Sequence, residues 1–180
     1  AKDWVANNCS PGTQPDYLTI GASNVRAQAL TAGEIDATTL EVSDVVTLES
    51  SDQANFAKVV DFAEELPDLR PQTVYANAEF TTEHRDVTQA FVTALAEEHA
   101  KINADPQHLV ELVGRYLPEE DPGEIAEVAQ RYVDAKLFDA GALTEQNMQA
   151  TIDFFARAGV LEPGLTVQDA VDLSFIRDAP

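Results

Sequence analysis

The chain has 180 residues, 32 of them acidic and 11 basic, for a formal net charge of −21. That length supports one well-buried domain, or a domain with an appendage. A charge of this sign repels nucleic acid and anionic membrane surfaces, and no apolar run approaches the roughly 18 residues of a membrane span. A solvated acidic shell, suited to high salt or to an extracellular setting, is the expectation. The single cysteine, Cys9, excludes an internal disulfide and a Cys-based metal cluster, and is expected to be an incidental, buried thiol.

In chain order, Asp3 to Asn8 reads as the last turns of a helix with Trp4 and Val5 inward. Ser10 to Asp16 is a turn-rich loop broken by Pro11-Gly12 and Pro15. Tyr17 to Ile20 is a short β-prone run, and Gly21 allows a sharp exit from it. Ser23 or Asn24 then offers a side-chain oxygen to cap a helix whose apolar face is Val25, Ala29 and Leu30. Gly33 supplies the left-handed residue that ends this helix. Ile35 to Leu40 reads as a second strand, with the polar Glu41, Ser43 and Asp44 past its carboxyl end. A strand–helix–strand unit of this kind belongs to a parallel sheet, and ligands of such sheets bind beyond the carboxyl ends of the strands. Val45 to Ala54 reads as a loop with a short helical piece, and Phe56 to Phe62 as a third strand. Pro67 and Pro71 bracket a loop, and Thr73 to Phe80 is a fourth strand.

From Thr81 onward the apolar period changes from two to 3.6. Thr81 or Thr82 is expected to cap a long helix to about Ile102, with Val87, Phe91, Ala94 and Leu95 on one face. Pro106 opens a helix to Tyr116, and Pro122 to Ala135 forms another with Ile125, Val128, Ala129 and Val133 inward. Leu143 to Ala158 is the fourth, with Met148, Ile152 and Phe155 inward and Gly159 as its stop. A tail with Val171, Leu173 and Phe175 closes the chain. The expected fold is α/β: a mainly parallel sheet of about four strands with flanking helices over residues 1–80, then a helical half over 81–180.

The chemistry-bearing residues point to binding. His84, His99 and His108 lack the one-turn spacing of a His-Glu-x-x-His zinc site, and are expected to be solvated helix-surface residues beside Glu79, Glu83, Glu97 and Glu98. Neither a nucleophile elbow nor a dinucleotide fingerprint is present, so no catalytic residue, metal or cofactor is expected. Thr39 and Glu41 share one face of the predicted second strand while Thr38 takes the other. The helix start at Ser23 and Asn24 offers free N–H groups for an anion, or simply a cap.

Ile20-Gly-x-Ser23 followed by Ala29-Leu30-x-x-Gly33-x-Ile35-Asp36-Ala37 resembles the second lobe of two-lobed solute-binding proteins. The similar families serve ABC importers of the nitrate, sulfonate and taurine type and include relatives linked to the thiamine pyrimidine precursor. The likeness extends to Val171-Asp172-Leu173-Ser174-Phe175. It implies a type II periplasmic-binding-protein fold, of which this chain is the carboxyl-terminal part, with a hundred or more residues of first lobe before it. It also implies an extracytoplasmic setting, a small-molecule solute and an ABC permease as partner. Ser23, Asn24, Thr39 and Glu41 would then line one wall of the cleft, with Tyr75 and Asn77 close to the hinge. Glu41 departs from the sulfonate-type relatives, which tend to carry neutral or aromatic residues there, and favours a cationic or amine-bearing ligand. Around Phe80, Val87 and Phe91 the resemblance implies a bared apolar face and self-association. The alternatives are an effector-sensing domain of a transcription regulator with the same fold, and a precursor-synthesis enzyme of the thiamine-pyrimidine type.

Overall fold

The computed structural model describes residues 2–51, 55–118 and 121–177. Among them every regular element is helical. In order these are α1 (Lys2–Asn8), α2 (Ser23–Thr31), α3 (Val42–Ser50), α4 (Phe62–Glu65), α5 (Ala78–Glu83), α6 (Arg85–Ala104), α7 (Pro106–Tyr116) and α8 (Pro122–Asp134). A 3₁₀ turn at Ala140–Ala142, then α9 (Glu145–Arg157), α10 (Val167–Ala170) and α11 (Ser174–Arg177) complete the series.

This overturns the expected α/β fold with its four-stranded parallel sheet. Tyr17–Ile20, Ile35–Leu40, residues 56–61 and residues 73–77 carry β-prone side chains, yet no strand pairs with another among the described residues. A strand exists only through the hydrogen bonds of a neighbour, whereas a helix satisfies its backbone within itself. Capping also shortens two of the predicted strands. Asp61 accepts from the Ala63 N–H and starts α4 at Phe62, and Asn77 accepts from the Phe80 N–H and starts α5 at Ala78. The short helical piece expected within the loop at 45–54 is longer and begins earlier, as α3, whose Val46 is fully buried; residues 52–54 lie outside the described residues. The expected long helix is two, broken at His84 (φ −124°, ψ 50°). Thr81 and Thr82 do not cap it but donate their hydroxyls to the Ala78 carbonyl. Cys9, expected to be buried, is exposed.

Neither Ser23 nor Asn24 caps α2, but the glycine and proline boundary signals hold. Gly33 (φ +71°) ends α2 and Gly159 (φ +72°) follows the end of α9, each in the left-handed region that glycine enters without strain. Pro106 and Pro122 occupy first turns, where no N–H is needed, behind the side-chain caps Asp105 and Asp121. Thr144 and Asn147 form a reciprocal capping box at the start of α9.

The best-packed core lies at the carboxyl end. Met148, Ile152, Val167 and Leu173 are buried together, with Leu143, Leu161, Leu165, Val171 and Ile176 against them. Gln149 stitches this cluster, accepting from the Val167 N–H and donating to the Leu165 carbonyl. Arg85 stacks on the Phe175 ring at 4.3 Å and donates to Ser174 Oγ, joining α6 to α11. At the other end α8 packs on both α7 and α3. Arg131 bridges Glu49 of α3 and Glu127 of its own helix, and Thr47 donates to Glu124. Through α8 the helical half therefore carries α3, and through α3 it carries α2. Among the described residues no helix is long and apolar enough to cross a membrane.

Candidate functional site

The segment between α2 and α3 is held by a clasp. Ser23 is buried, and its Oγ accepts from the Glu41 N–H at 2.9 Å. Three residues on, Arg26 donates from Nε to the Thr39 carbonyl at 2.9 Å and from Nη1 to the Gly21 carbonyl. Residues i and i+3 share a helix face, so one face of α2 grips the backbone at positions 39 and 41 and the turn at Gly21. Ser23 thus ties two segments together instead of capping its own helix, whose cap residue Ala22 makes no side-chain bond. Asn24 folds its Oδ1 onto the Val25 N–H. Sequence reasoning missed Arg26; the signal that could have found it is the three-residue step from Ser23.

The clasp decides what faces outward. With their backbones fixed, Thr39 and Glu41 present exposed side chains, while Thr38 is half-buried. Glu41 is also the residue before α3, but its carboxylate caps nothing. The Arg26 guanidinium is engaged by two carbonyls, so the outward chemistry is a hydroxyl and a carboxylate. Such a surface accepts hydrogen bonds and favours a donor-bearing or cationic group.

Tyr75 and Asn77 take no part in the clasp. Tyr75 is 87% exposed, and Asn77 is engaged in capping α5 at 3.0 Å from the Phe80 nitrogen. No hydrogen bond among the described residues joins either to the Ser23–Glu41 clasp. The structure ties Ser23, Thr39 and Glu41 into one clasp with Asn24 next to it in the chain, and it joins neither Tyr75 nor Asn77 to them by a hydrogen bond among the described residues.

The three histidines also go separate ways. His84 lies at the break between α5 and α6, its ring centroid 4.7 Å from that of Phe80. His108 meets Glu98 at 2.5 Å and ties α7 to α6. Lys101 and then His108 hold the Glu98 carboxyl below its usual range through hydrogen bonds. His99, expected on the solvated surface, is half-buried against Phe138.

No curated protein and no solved structure matches the chain. Residues 10–109, more than half of it, match the family model described as NMT1/THI5 like. That span contains α2, the clasp and α3 whole, as well as α6. This chain belongs to the NMT1/THI5-like family.

Proposed function

We propose that the chain is the carboxyl-terminal part of a solute-binding protein of an ABC importer, carrying one wall of a cleft that closes on a small molecule. The observation that carries this reading is the family match over the clasp, which fixes Thr39 and Glu41 on an exposed face. The open surface supports it. The chain exposes 12688 Å², against about 8,500 Å² for a compact monomer of 19.5 kDa. An excess of that size suits a half-molecule whose complement lies elsewhere. Ligand contacts on both lobes would favour the closed state by their differential affinity, and the closed form would dock on a permease outside the cytoplasm. Glu41 would select an amine or another donor-bearing solute.

Calorimetry tests the reading. The 180-residue chain and the full-length polypeptide are titrated with one panel of amines, sulfonates, nitrate and pyrimidines. A ligand that loses half its contacts loses about tenfold in affinity for every 1.4 kcal/mol. The full-length protein is expected to bind an amine-bearing solute tightly, and Glu41→Gln to weaken it, while this chain alone binds none tightly. Sub-micromolar binding by the 180 residues alone would overturn the half-cleft.

A further inference from the structure

A second, unrelated site opens in the helical half. A cavity of about 220 Å³ lies between α6, the turn through Ala140–Ala142 and α11. Ala96 and Ile176 supply apolar wall, and the Phe138 ring stands edge-on to His99 at 5.4 Å between centroids. Among the described residues His99 Nδ1 is buried with no hydrogen-bond partner, which is costly for a ring nitrogen unless something occupies the space beside it. Asn103 spends its Nδ2 on the Phe138 carbonyl, which leaves its Oδ1 as an acceptor on the same cavity. Asp139 adds a carboxylate, and among the described residues neither lysine nor arginine lines the space.

In the tautomer that carries its proton on Nε2, His99 Nδ1 is an acceptor; with the amide oxygen and the carboxylate it makes three acceptors without a cation, and an ammonium group carries three donors. A dry cavity of about 150 Å³ accommodates benzene, so 220 Å³ admits an aromatic ring with a short substituent. We infer that this cavity binds a small organic monoamine of about eight to ten non-hydrogen atoms, its ring against Phe138, Ala96 and Ile176 and its ammonium facing Asp139 and His99 Nδ1. The wall formed by residues 138–141 and Ile176 lies beyond the family match, and none of the lining residues belongs to the clasp. The site does not depend on the proposed cleft.

The test uses three probes of one shape, benzylamine, benzyl alcohol and benzoate, added at pH 7 to the isotopically labelled chain. The His99 ring resonances and the amides of Ala96, Phe138 and Gly141 are followed by NMR. Benzylamine is expected to give saturable shifts at millimolar concentration, benzyl alcohol weaker ones and benzoate none. Asp139 is exposed, so Asp139→Asn keeps the fold and should weaken benzylamine about fivefold, the upper range of an exposed ion pair, to the level of the alcohol. Ala96→Leu should fill the cavity and abolish the shifts. Equal response to all three probes, no saturable shift with benzylamine, or indifference to both substitutions would each overturn the inference.

Discussion

The two halves of this molecule use their apolar residues in opposite ways. Among the described residues, ten of the fourteen large apolar side chains that stand exposed lie before Val92, whereas eight of the ten buried apolar side chains lie after Ala100. Amphipathic helices such as α7, α8 and α9 bury their apolar faces within the chain, while the extended segments before α5 are tied to it mainly through polar contacts, at Thr39, Glu41 and Arg70. Leu18, Val59, Val74 and Tyr75 are left in solvent at 68%, 74%, 63% and 87% exposure. Burial of an apolar side chain contributes roughly 1.5–3 kcal/mol, so stability should be concentrated in the second half and docking capacity in the first.

Paired substitutions give the largest contrast. Ile152→Ala in the α9 core should cost about 2–5 kcal/mol, because the removed methylenes leave a cavity that Met148, Val167 and Leu173 only partly close. Val74→Ala should change stability by less than about 0.5 kcal/mol. Urea unfolding of the two variants would measure both. Equal losses would mean that the extended segments are packed as firmly as the helical core.

The same contrast explains what could be read from the sequence. Helices with their own stop and start signals were legible: Pro106 behind Asp105, Pro122 behind Asp121, and the glycines after α2 and α9. Each signal acts within a few residues of the element that it bounds. Strands were not, because Tyr17–Ile20 and Ile35–Leu40 state only a preference and the pairing partner is not local. Asp61 and Asn77 carry cap chemistry in plain view, but each stands inside a β-prone run that masks it. At the candidate site, Ser23, Thr39 and Glu41 stand out one by one from their positions. Their connection was hidden because it runs through Arg26 and backbone atoms, across thirteen to eighteen residues of chain.

Gly33 tests whether the first half is as loosely specified as its exposure suggests. Its φ of +71° lies where a side chain is strained, and a Cβ added there would meet nothing within 4 Å. Gly33→Val should therefore destabilise through backbone strain alone, by about 1–3 kcal/mol. The Gly33 and Glu34 N–H groups close the end of α2 on the Leu30 and Ala29 carbonyls, so the strain would fall on the turn leading to the clasp. A neutral variant in thermal unfolding would mean that α2 and the clasp unfold apart from the cooperative core.

Salt should sharpen the comparison with a smaller effect. The charge of −21 is unfavourable to any compact state, and counterions relieve it as the Debye length falls from about 10 Å at 0.1 M to about 3 Å at 1 M. The melting temperature should rise with sodium chloride, by about 2–4 °C for each kcal/mol of repulsion removed. Screening also lets copies approach through Phe80, Val87 and Phe91, which are about half exposed. Sedimentation should then show larger species at molar salt for the parent chain and fewer for Phe80→Ser/Phe91→Ser. A melting temperature that is flat or falling with salt would show that self-repulsion does not limit the fold.

The smallest expected effect belongs to His99, and it reports on the helical half alone. Burial holds the His99 imidazole below its usual value of 6.5, and the nearby Asp139 carboxylate only partly opposes this. Above that value the ring is neutral in both the folded and unfolded states, so it contributes no pH dependence. As pH falls below it, the unfolded chain takes up a proton that the folded chain refuses. Stability is therefore lost from about pH 6.5 down to the folded value and is level below that. The carboxyls held low by hydrogen bonds, Asp169 by Thr166 and Asp172 by Ser174, start from 3.8 and lose their contribution only in more acid solution. The interval between about pH 7 and 5.5 thus separates the imidazole from them. Urea midpoints across that interval should fall for the parent chain and fall less for His99→Gln, which keeps a polar group of similar reach. A slope unchanged by the substitution would mean that the ring beside Phe138 is as freely solvated as an exposed one, and that the cavity it lines is open to water.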